Sequence, residues 1–366
     1  MKLIRFFKWL LIISLVTIIG ACAVNSKISS SVIASLKNSD HFKDGKFHNT
    51  APQDERGFGK FMEIMGRWVT EEKVDSVPAK PVPVKTVTRK QLDALSNDAF
   101  HLIKLGHSSL LLKVYGEYWL IDPMFSERAS PFNFAGPKRF HPPPITIKEL
   151  PPITRVLISH NHYDHLDKAS IEQLASKTRE FLSPLGTDGD LKKWGVAPQK
   201  IKTFDWWQEF KTDKALLVFT PSQHFSGRGL NDRNSTLWGS WVIKTARERV
   251  YYSGDSGYFA GFKAIGDKYG PFDLTLLETG AYNTDWPDVH MFPEESVKAH
   301  LDLRGKTLLP VHNGTFDLSF HPWYEPFERV TKAAKAQGVQ LTIPLVGEVF
   351  TARQQGITEP WWQALR

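Results

Sequence analysis

The segment from Ser159 to Asp167 constrains this chain more than any other stretch of its sequence. Four side chains that can bind metal fall within six residues there: His160, His162, Asp164 and His165. The short apolar run at 155–158 precedes the segment and predicts a buried strand. The segment should therefore be the loop at the carboxyl end of that strand, where open α/β sheets place their sites. A single loop histidine is usually an ordinary residue, but this spacing predicts a loop that faces two neighbouring metal ions.

Three later apolar runs are predicted to be strands that also end in a residue able to bind metal. These residues are His224, Asp255 and His312. Each one alone could be an ordinary strand-end residue. A site for two ions needs more than four ligands, however, so we expect all three to join the loop. Gly254, beside Asp255, fits a backbone that must approach the ions closely.

The predicted strand at 118–121 ends in Asp122, and two interpretations of this residue remain open. It can hold a ligand histidine by the free ring N–H, or it can be an ordinary turn or cap residue. Further strands are predicted at 100–105, 109–114 and 179–183, and a helix at 168–177. Strands that alternate with helices in this way indicate a layered α/β domain.

The charge and the cysteine count exclude several classes of protein. The net charge of the 366-residue chain is +7, and three of these charges come from basic residues before Cys22. The remaining excess is too small and too scattered for a nucleic-acid binder, which usually carries a basic stripe, although it is compatible with weak attraction to anionic lipid. Cys22 is the only cysteine, so the chain can form neither an internal disulfide nor a cysteine-ligated zinc site in its body.

Residues 1–22 have a basic start and an apolar stretch too short to span a bilayer comfortably, as in a signal segment. The segment ends Ile19-Gly20-Ala21-Cys22, which resembles a bacterial lipoprotein box with Cys22 as the acylated residue. Two alternatives remain open, namely ordinary signal cleavage and an uncleaved membrane anchor. The lipoprotein and the uncleaved anchor both predict a protein that is exported and tethered to a membrane of the bacterial cell envelope. Ordinary signal cleavage predicts a protein that is exported without a tether.

The rest of the chain divides into two predicted regions. Residues 23–95 form a tether and an N-terminal extension, with a serine-rich start and a proline-rich linker at 77–84. An amphipathic helix is predicted from Phe58 to Val69, and we interpret its apolar stripe as a packing face. Residues 96–366 form the predicted catalytic domain.

The pattern His-x-His-x-Asp-His after a strand resembles the metallo-β-lactamase superfamily. The longer phrase at 157–167 resembles the branch that contains N-acylphosphatidylethanolamine-hydrolysing phospholipase D. Other stretches between residues 100 and 330 that resemble this branch are 128–131, 136–140, 237–241, 270–274, 280–282, 293–295 and 312–316.

The resemblance implies an αββα sandwich that holds two divalent metal ions. It assigns His160, His162 and His224 to one ion, Asp164, His165 and His312 to the other, and Asp255 to both. It also places His290 near the scissile phosphate, where it is a proton donor only if it reaches the leaving oxygen; the alternative is an ordinary loop histidine. Asp164, as a ligand to one ion, is expected to have a second, catalytic role in holding the proton of the attacking water. This donor set favours Zn²⁺ and tolerates Mn²⁺ or Fe²⁺.

By the same resemblance we expect phospholipase D-type hydrolysis of a phosphodiester in an N-acylphosphatidylethanolamine-like lipid at a membrane surface. Two metals can activate water for in-line attack and neutralise the phosphate oxygens. One alternative is a lactonase or acyl-ester hydrolase that uses the same metals, because ligands alone do not separate these reactions. A second alternative is a non-catalytic metal-binding envelope lipoprotein. The expected partners are a phospholipid-like or small phosphodiester substrate and a membrane, with no nucleic acid; a homodimer remains open.

Overall fold

The computed structural model describes residues 36, 38–53, 57–353 and 359–366. The predicted signal segment at 1–22 and most of the serine-rich tether lie outside these residues, so the predictions made for them stand as predictions. Within the described ranges, no helix combines the length and the apolar character that crossing a bilayer requires.

The first of two large sheets comes mainly from the first half of the domain. Its strands are β3 (Phe100–Gly106), β4 (Ser109–Val114), β5 (Glu117–Ile121), β6 (Ile153–Leu157), β7 (Thr178–Pro184) and β8 (Ile201–Phe204), with β16 (Val349–Thr351) added at one edge. The spatial order is β16-β3-β4-β5-β6-β7-β8. Strands β3 to β5 form antiparallel hairpins, whereas β5 to β8 run parallel. The strands predicted within 100–121 and at 155–158 and 179–183 are thereby confirmed, to within one or two residues at their ends.

The second sheet is built from the second half of the chain. Its strands are β9 (Glu209–Lys211), β10 (Ala215–Thr220), β11 (Ser240–Thr245), β12 (Arg249–Tyr252), β13 (Phe272–Glu278), β14 (Gly305–Val311) and β15 (Gln340–Leu341), in the order β15-β14-β13-β12-β11-β10-β9. Strands β12 to β15 are parallel. Their carboxyl ends therefore meet at one edge of the sheet, as those of β5 to β8 do in the first sheet.

Helices cover the outer faces of the two sheets. The α-helices are α1 (Phe58–Thr70), α2 (Arg89–Ala94), α3 (Lys168–Leu174), α4 (Asp188–Lys193), α5 (Gly261–Tyr269), α6 (Pro293–Asp302) and α7 (Glu325–Ala336), and short 3-10 helices lie at Pro198–Lys200 and Trp361–Leu365. Apolar side chains form one cluster between the sheets and one on each outer face, the latter against α2 to α4 and against α5 to α7. Two sheets enclosed by two helical layers make the αββα sandwich that was predicted.

Part of the N-terminal extension packs into this sandwich. A short hairpin, β1 (Phe42–Lys43) with β2 (Lys46–Phe47), places Phe47 in the cluster between the sheets with none of its side chain exposed. Two residues further on, the Asn49 side chain donates to the carbonyl oxygen of His224 (2.8 Å) and accepts from its backbone N–H (3.1 Å). Residues 38–53 therefore help to position a predicted metal ligand.

Candidate metal centre

The loop after β6 brings three imidazoles together at the rim between the sheets. His160 Nε2 lies 2.9 Å from His162 Nδ1, and His224 Nε2, from the chain after β10, lies 3.2 Å from the same atom. Nitrogens that bind one tetrahedral zinc at about 2.1 Å lie roughly 3.4 Å apart, so this spacing suits a shared cation. The three side chains assigned to the first ion are thus neighbours in space.

Hydrogen bonds to the opposite ring nitrogens orient two of these imidazoles. Ser159 Oγ is 2.9 Å from His160 Nδ1, and the carbonyl oxygen of Val289 is 2.9 Å from His224 Nδ1. Burial lowers the pKa of His160 and His224 well below the ordinary value and that of His162 to about 4. All three rings are therefore neutral near pH 7, which is the form that binds metal.

The second predicted group lies directly beside the first. His312 Nε2 is 3.1 Å from an oxygen of Asp164 and 3.1 Å from an oxygen of Asp255. His165 Nε2 is 3.0 Å from the other oxygen of Asp255, and neither of these two atoms has a hydrogen-bond partner although both are buried. Orphaned, buried donor atoms that point at one another are what a bound cation would satisfy.

Asp255 connects the two groups, because its carboxylate also lies 3.8 Å from His160 Nε2 and 3.7 Å from His224 Nε2. All seven predicted ligand side chains therefore converge on one cluster, and their donor atoms fall into sets within 4.8 Å of one another. This geometry fits two divalent cations held by nitrogen and oxygen donors, with Asp255 between them.

The two halves of the cluster differ in electrostatics. Burial alone would lower the pKa of His312, but Asp255 and Asp164 outweigh burial and raise it to about 10. For His165, too, burial is outweighed by Asp255 and Asp164, so that its pKa rises well above the ordinary value. The carboxylates thus create a negative potential in this half, which a divalent cation would neutralise.

Asp122 acts as an orienting partner, and this decides between its two interpretations. Its Oδ2 accepts from His165 Nδ1 at 2.7 Å and from the Tyr252 hydroxyl at 2.5 Å. Its Oδ1 accepts the backbone N–H of Ser159 at 2.8 Å. Since the Nδ1 side of His165 is occupied, Nε2 is the nitrogen that faces the metal group.

Gly254 lies in a tightly packed turn next to Asp255. Its backbone has a φ of +58°, and an added Cβ would lie 2.6 Å from the carbonyl oxygen of Gly239 and 2.8 Å from Ser159 Cβ. The left-handed conformation and the contact with neighbouring protein atoms therefore both require glycine at this position. The tight contact fixes the turn that presents Asp255.

Sequence reasoning missed His107, which follows β3 and is 1 % exposed. Its Nε2 lies 2.8 Å from the Asp164 oxygen that also faces His312, and its ring centroid is 3.9 Å from that of His312. Its φ of +53° is uncommon for a residue with a side chain. The signal was present, because His107 comes at a strand end after an apolar run, as the predicted ligands do.

A cavity of about 530 Å³ opens above the cluster. Its floor includes His162, Asp164, Asp255 and His312, and His290 stands at its side. The other walls are largely apolar and come from Ile64, Phe225, Ala281, Trp286, Val289 and Leu318, with Gln53 and Arg233 beside them. Gln53 and Ile64 belong to the N-terminal extension, and no local pattern predicted that they would reach the site.

Comparison with known proteins identifies the class. A sequence model of the beta-lactamase superfamily domain matches residues 118–313. A solved metallo hydrolase, Igni18 from the archaeon Ignicoccus hospitalis, superposes with a TM-score of 0.53 at 23% identity, covering 69% of this chain and 98% of that one. The chain belongs to the metallo-β-lactamase superfamily and is a metal-dependent hydrolase of that fold.

Two relatives indicate which branch of the superfamily the chain belongs to. An uncharacterised protein of Mycobacterium tuberculosis is 41% identical over 94% of this chain and 93% of its own length. The N-acyl-phosphatidylethanolamine-hydrolyzing phospholipase D 1 of Caenorhabditis elegans is 33% identical over 70% of this chain and 75% of its own length. Within the superfamily, the chain therefore belongs to the branch that resembles N-acylphosphatidylethanolamine-hydrolysing phospholipase D.

Proposed function

We propose that this hydrolase cleaves a phosphodiester in an N-acylphosphatidylethanolamine-like lipid, in the manner of a phospholipase D, and releases phosphatidic acid. One observation carries the proposal, namely a cavity that is lined both by the predicted metal ligands and by apolar side chains. A phosphodiester on the floor would leave its acyl chains against the apolar walls. The similarity to a nematode protein named for this activity supports the choice of substrate.

The cavity offers groups for both parts of such a substrate. Trp286, Leu318 and Ile64 present apolar surface, and each buried CH₂ of an acyl chain is worth roughly 0.8 kcal/mol. The Arg233 guanidinium lies 4.4 Å from the Phe225 ring centroid at the same cavity. A guanidinium suits recognition of a phosphate oxygen.

Two divalent cations, which we expect to be Zn²⁺, would supply Lewis-acid activation of water and neutralise charge on the phosphate. Side chains of the protein would orient the attacking water and protonate the leaving oxygen. Asp164 is ionised, since its histidine partners outweigh burial and hold its pKa well below the ordinary value. It accepts a hydrogen bond from the attacking water and orients it. His290, at the cavity wall, donates a proton to the leaving oxygen.

We further propose that the protein acts at the surface of the cell envelope, tethered through Cys22, because tethering confines an enzyme to the plane of its lipid substrate. Mass spectrometry of the mature protein should find a diacylated N-terminal Cys22. An intact Met1 in the membrane fraction would contradict acylation and favour the uncleaved anchor.

The decisive experiment is a metal-dependent activity screen on the purified protein. We expect the metal-loaded protein to hydrolyse bis-p-nitrophenyl phosphate and N-acylphosphatidylethanolamine vesicles, and to be inactive on a lactone panel. His162→Ala should abolish turnover, whereas the control His48→Ala, which changes a surface residue, should not. Activity on lactones alone would favour the acyl hydrolase, and bound metal without any turnover would favour a non-catalytic envelope protein.

A further inference from the structure

A buried carboxylate and an imidazole form a pair at the side of the metal cluster. Glu278, the last residue of β13, has none of its side chain exposed, and its Oε1 accepts from His290 Nδ1 at 2.7 Å. His290 is 14 % exposed and borders the cavity. A fully buried glutamate is rare unless it is paired, so this residue calls for an explanation.

The carboxylate cannot turn away from the imidazole. Its other oxygen, Oε2, accepts the backbone N–H groups of Met291 (3.2 Å) and Ser256 (3.3 Å). The Glu278 backbone is held as well, because its N–H donates to Ser253 Oγ (2.9 Å) and its carbonyl accepts from Ser296 Oγ (2.7 Å). The pair is thus fixed from β13, from the turn after Asp255 and from the start of α6.

This arrangement decides which nitrogen of His290 can act. Since Nδ1 donates to Glu278, Nε2 is the nitrogen left for a ligand in the cavity. The ring lies close to the cluster, with its centroid 5.1 Å from that of His224 and 5.3 Å from that of His312. A ring nitrogen of His290 lies within 4.8 Å of donor atoms of Asp255 and His312. A group bound in the cavity beside Asp255 and His312 would therefore be within reach of His290.

We propose that Glu278 is the positioning residue of this hydrolase: its carboxylate accepts Nδ1–H and fixes the His290 ring, so that in the imidazolium form Nε2–H faces the leaving oxygen. This inference rests on the proposed function. As the water oxygen forms its bond to phosphorus, the bond to the leaving oxygen breaks, and the electron pair stays on that oxygen. The leaving oxygen takes the proton from Nε2, and the proton released by the water restores His290 through solvent.

The test compares two phosphodiesters that differ only in the leaving group. An alkoxide needs a proton as it departs, whereas p-nitrophenolate does not. In Glu278→Gln, kcat for the alkyl diester should fall about 10- to 100-fold, and kcat for the p-nitrophenyl diester should change less than about threefold, both with unchanged KM. His290→Ala should show the same selective loss.

Glu295→Gln is the matched control. Glu295 is a half-buried glutamate that accepts from the backbone N–H of Phe292 at the start of α6, whereas the carboxylate bonded to His290 is that of Glu278. Glu295→Gln should leave kcat unchanged for both diesters. Equal losses on both diesters in Glu278→Gln, or no loss on either, would overturn the positioning role, because a purely structural residue would not discriminate between leaving groups.

A second measurement does not depend on turnover. Proton NMR of the zinc-loaded wild type should show a downfield imidazole N–H resonance that is missing in His290→Ala. In Glu278→Gln it should move upfield and exchange faster with water, and an unchanged resonance would overturn the pair.

If the wild type hydrolyses neither diester, the proposed function fails. The leaving-group comparison is then made on aryl and alkyl carboxylic esters, where an unselective loss would overturn the positioning role.

Discussion

At the scale of single residues, Asp122 shows how one buried side chain prepares a metal ligand. It is completely buried, its φ is +40°, and its two oxygens accept from His165, Ser159 and Tyr252. A non-glycine residue keeps a left-handed backbone only where its surroundings enforce it. The strained turn and the hydrogen bonds together hold the His165 ring in place before any metal binds.

We expect Asp122→Asn to lower zinc affinity about 10- to 100-fold, because the amide cannot fix the His165 ring as a carboxylate does. Competition with a chromophoric chelator would measure the change. Asp188→Asn is a suitable control, since Asp188 is also buried but pairs with Lys192 on α4, 2.6 Å away. Equal affinities for wild type and Asp122→Asn would show that the ring is held without Asp122.

At the scale of elements, helix α1 is the unexpected part of the site. The apolar stripe of α1 was interpreted as a packing face, and the structure adds that the helix contributes Ile64 to the wall of the cavity. Asp285 anchors it, with Lys60 Nζ 2.7 Å from one carboxylate oxygen and the Arg67 guanidinium on the other. These partners lower the pKa of Asp285, chiefly through the hydrogen bond from Lys60.

Removing the anchor should loosen α1 without unfolding the sandwich. Asp285→Asn removes both ion pairs that anchor the helix, so amide exchange in residues 58–70 should be faster by about fivefold or more. Hydrogen–deuterium exchange with mass spectrometry would measure this. Asp267→Asn, which removes an exposed pair with Lys263 on α5, is the control. Unchanged exchange in Asp285→Asn would mean that apolar contacts alone hold the helix.

At the scale of the whole molecule, the metal centre joins the two halves of the sandwich. His160, His162, Asp164 and His165 follow a strand of the first sheet, while His224, Asp255 and His312 follow strands of the second. Cations bound between them would bridge the sheets at the rim, and binding only to the folded state stabilises that state.

Metal removal should therefore lower thermal stability. At zinc about 1,000-fold above Kd the stabilisation is about 4 kcal/mol, which for a domain of this size corresponds to a fall in Tm of roughly 6 to 7 °C on chelation. Calorimetry with and without chelator would measure it, and added zinc should restore the original Tm. The variant His162→Ala should respond less. If the Tm of the wild type did not change on chelation, the proposed bridging of the two sheets by the cations would be contradicted.

Many of the strands, helix α1 and the metal donors could be predicted, because short patterns in the sequence determine them. Apolar runs placed β4 at 109–114, and spacing placed α1 at 58–69, within one residue of the observed Thr70. The donors were predictable for the same reason, since each lies in a segment that follows a strand and the ends of parallel strands meet at one edge of a sheet. The helix predicted at 168–177 ends early, at Leu174.

The sequence by itself determined which segments are strands, where they end and which of their terminal residues can bind metal. Only the tertiary structure decided that Glu278 meets His290, that His107 meets Asp164 and that Ile64 reaches the cavity. Periodicity and spacing report on neighbours within a few residues, because they reflect the geometry of one strand or helix. Contacts between distant segments depend instead on how two sheets and an N-terminal extension pack, and no local pattern encodes that.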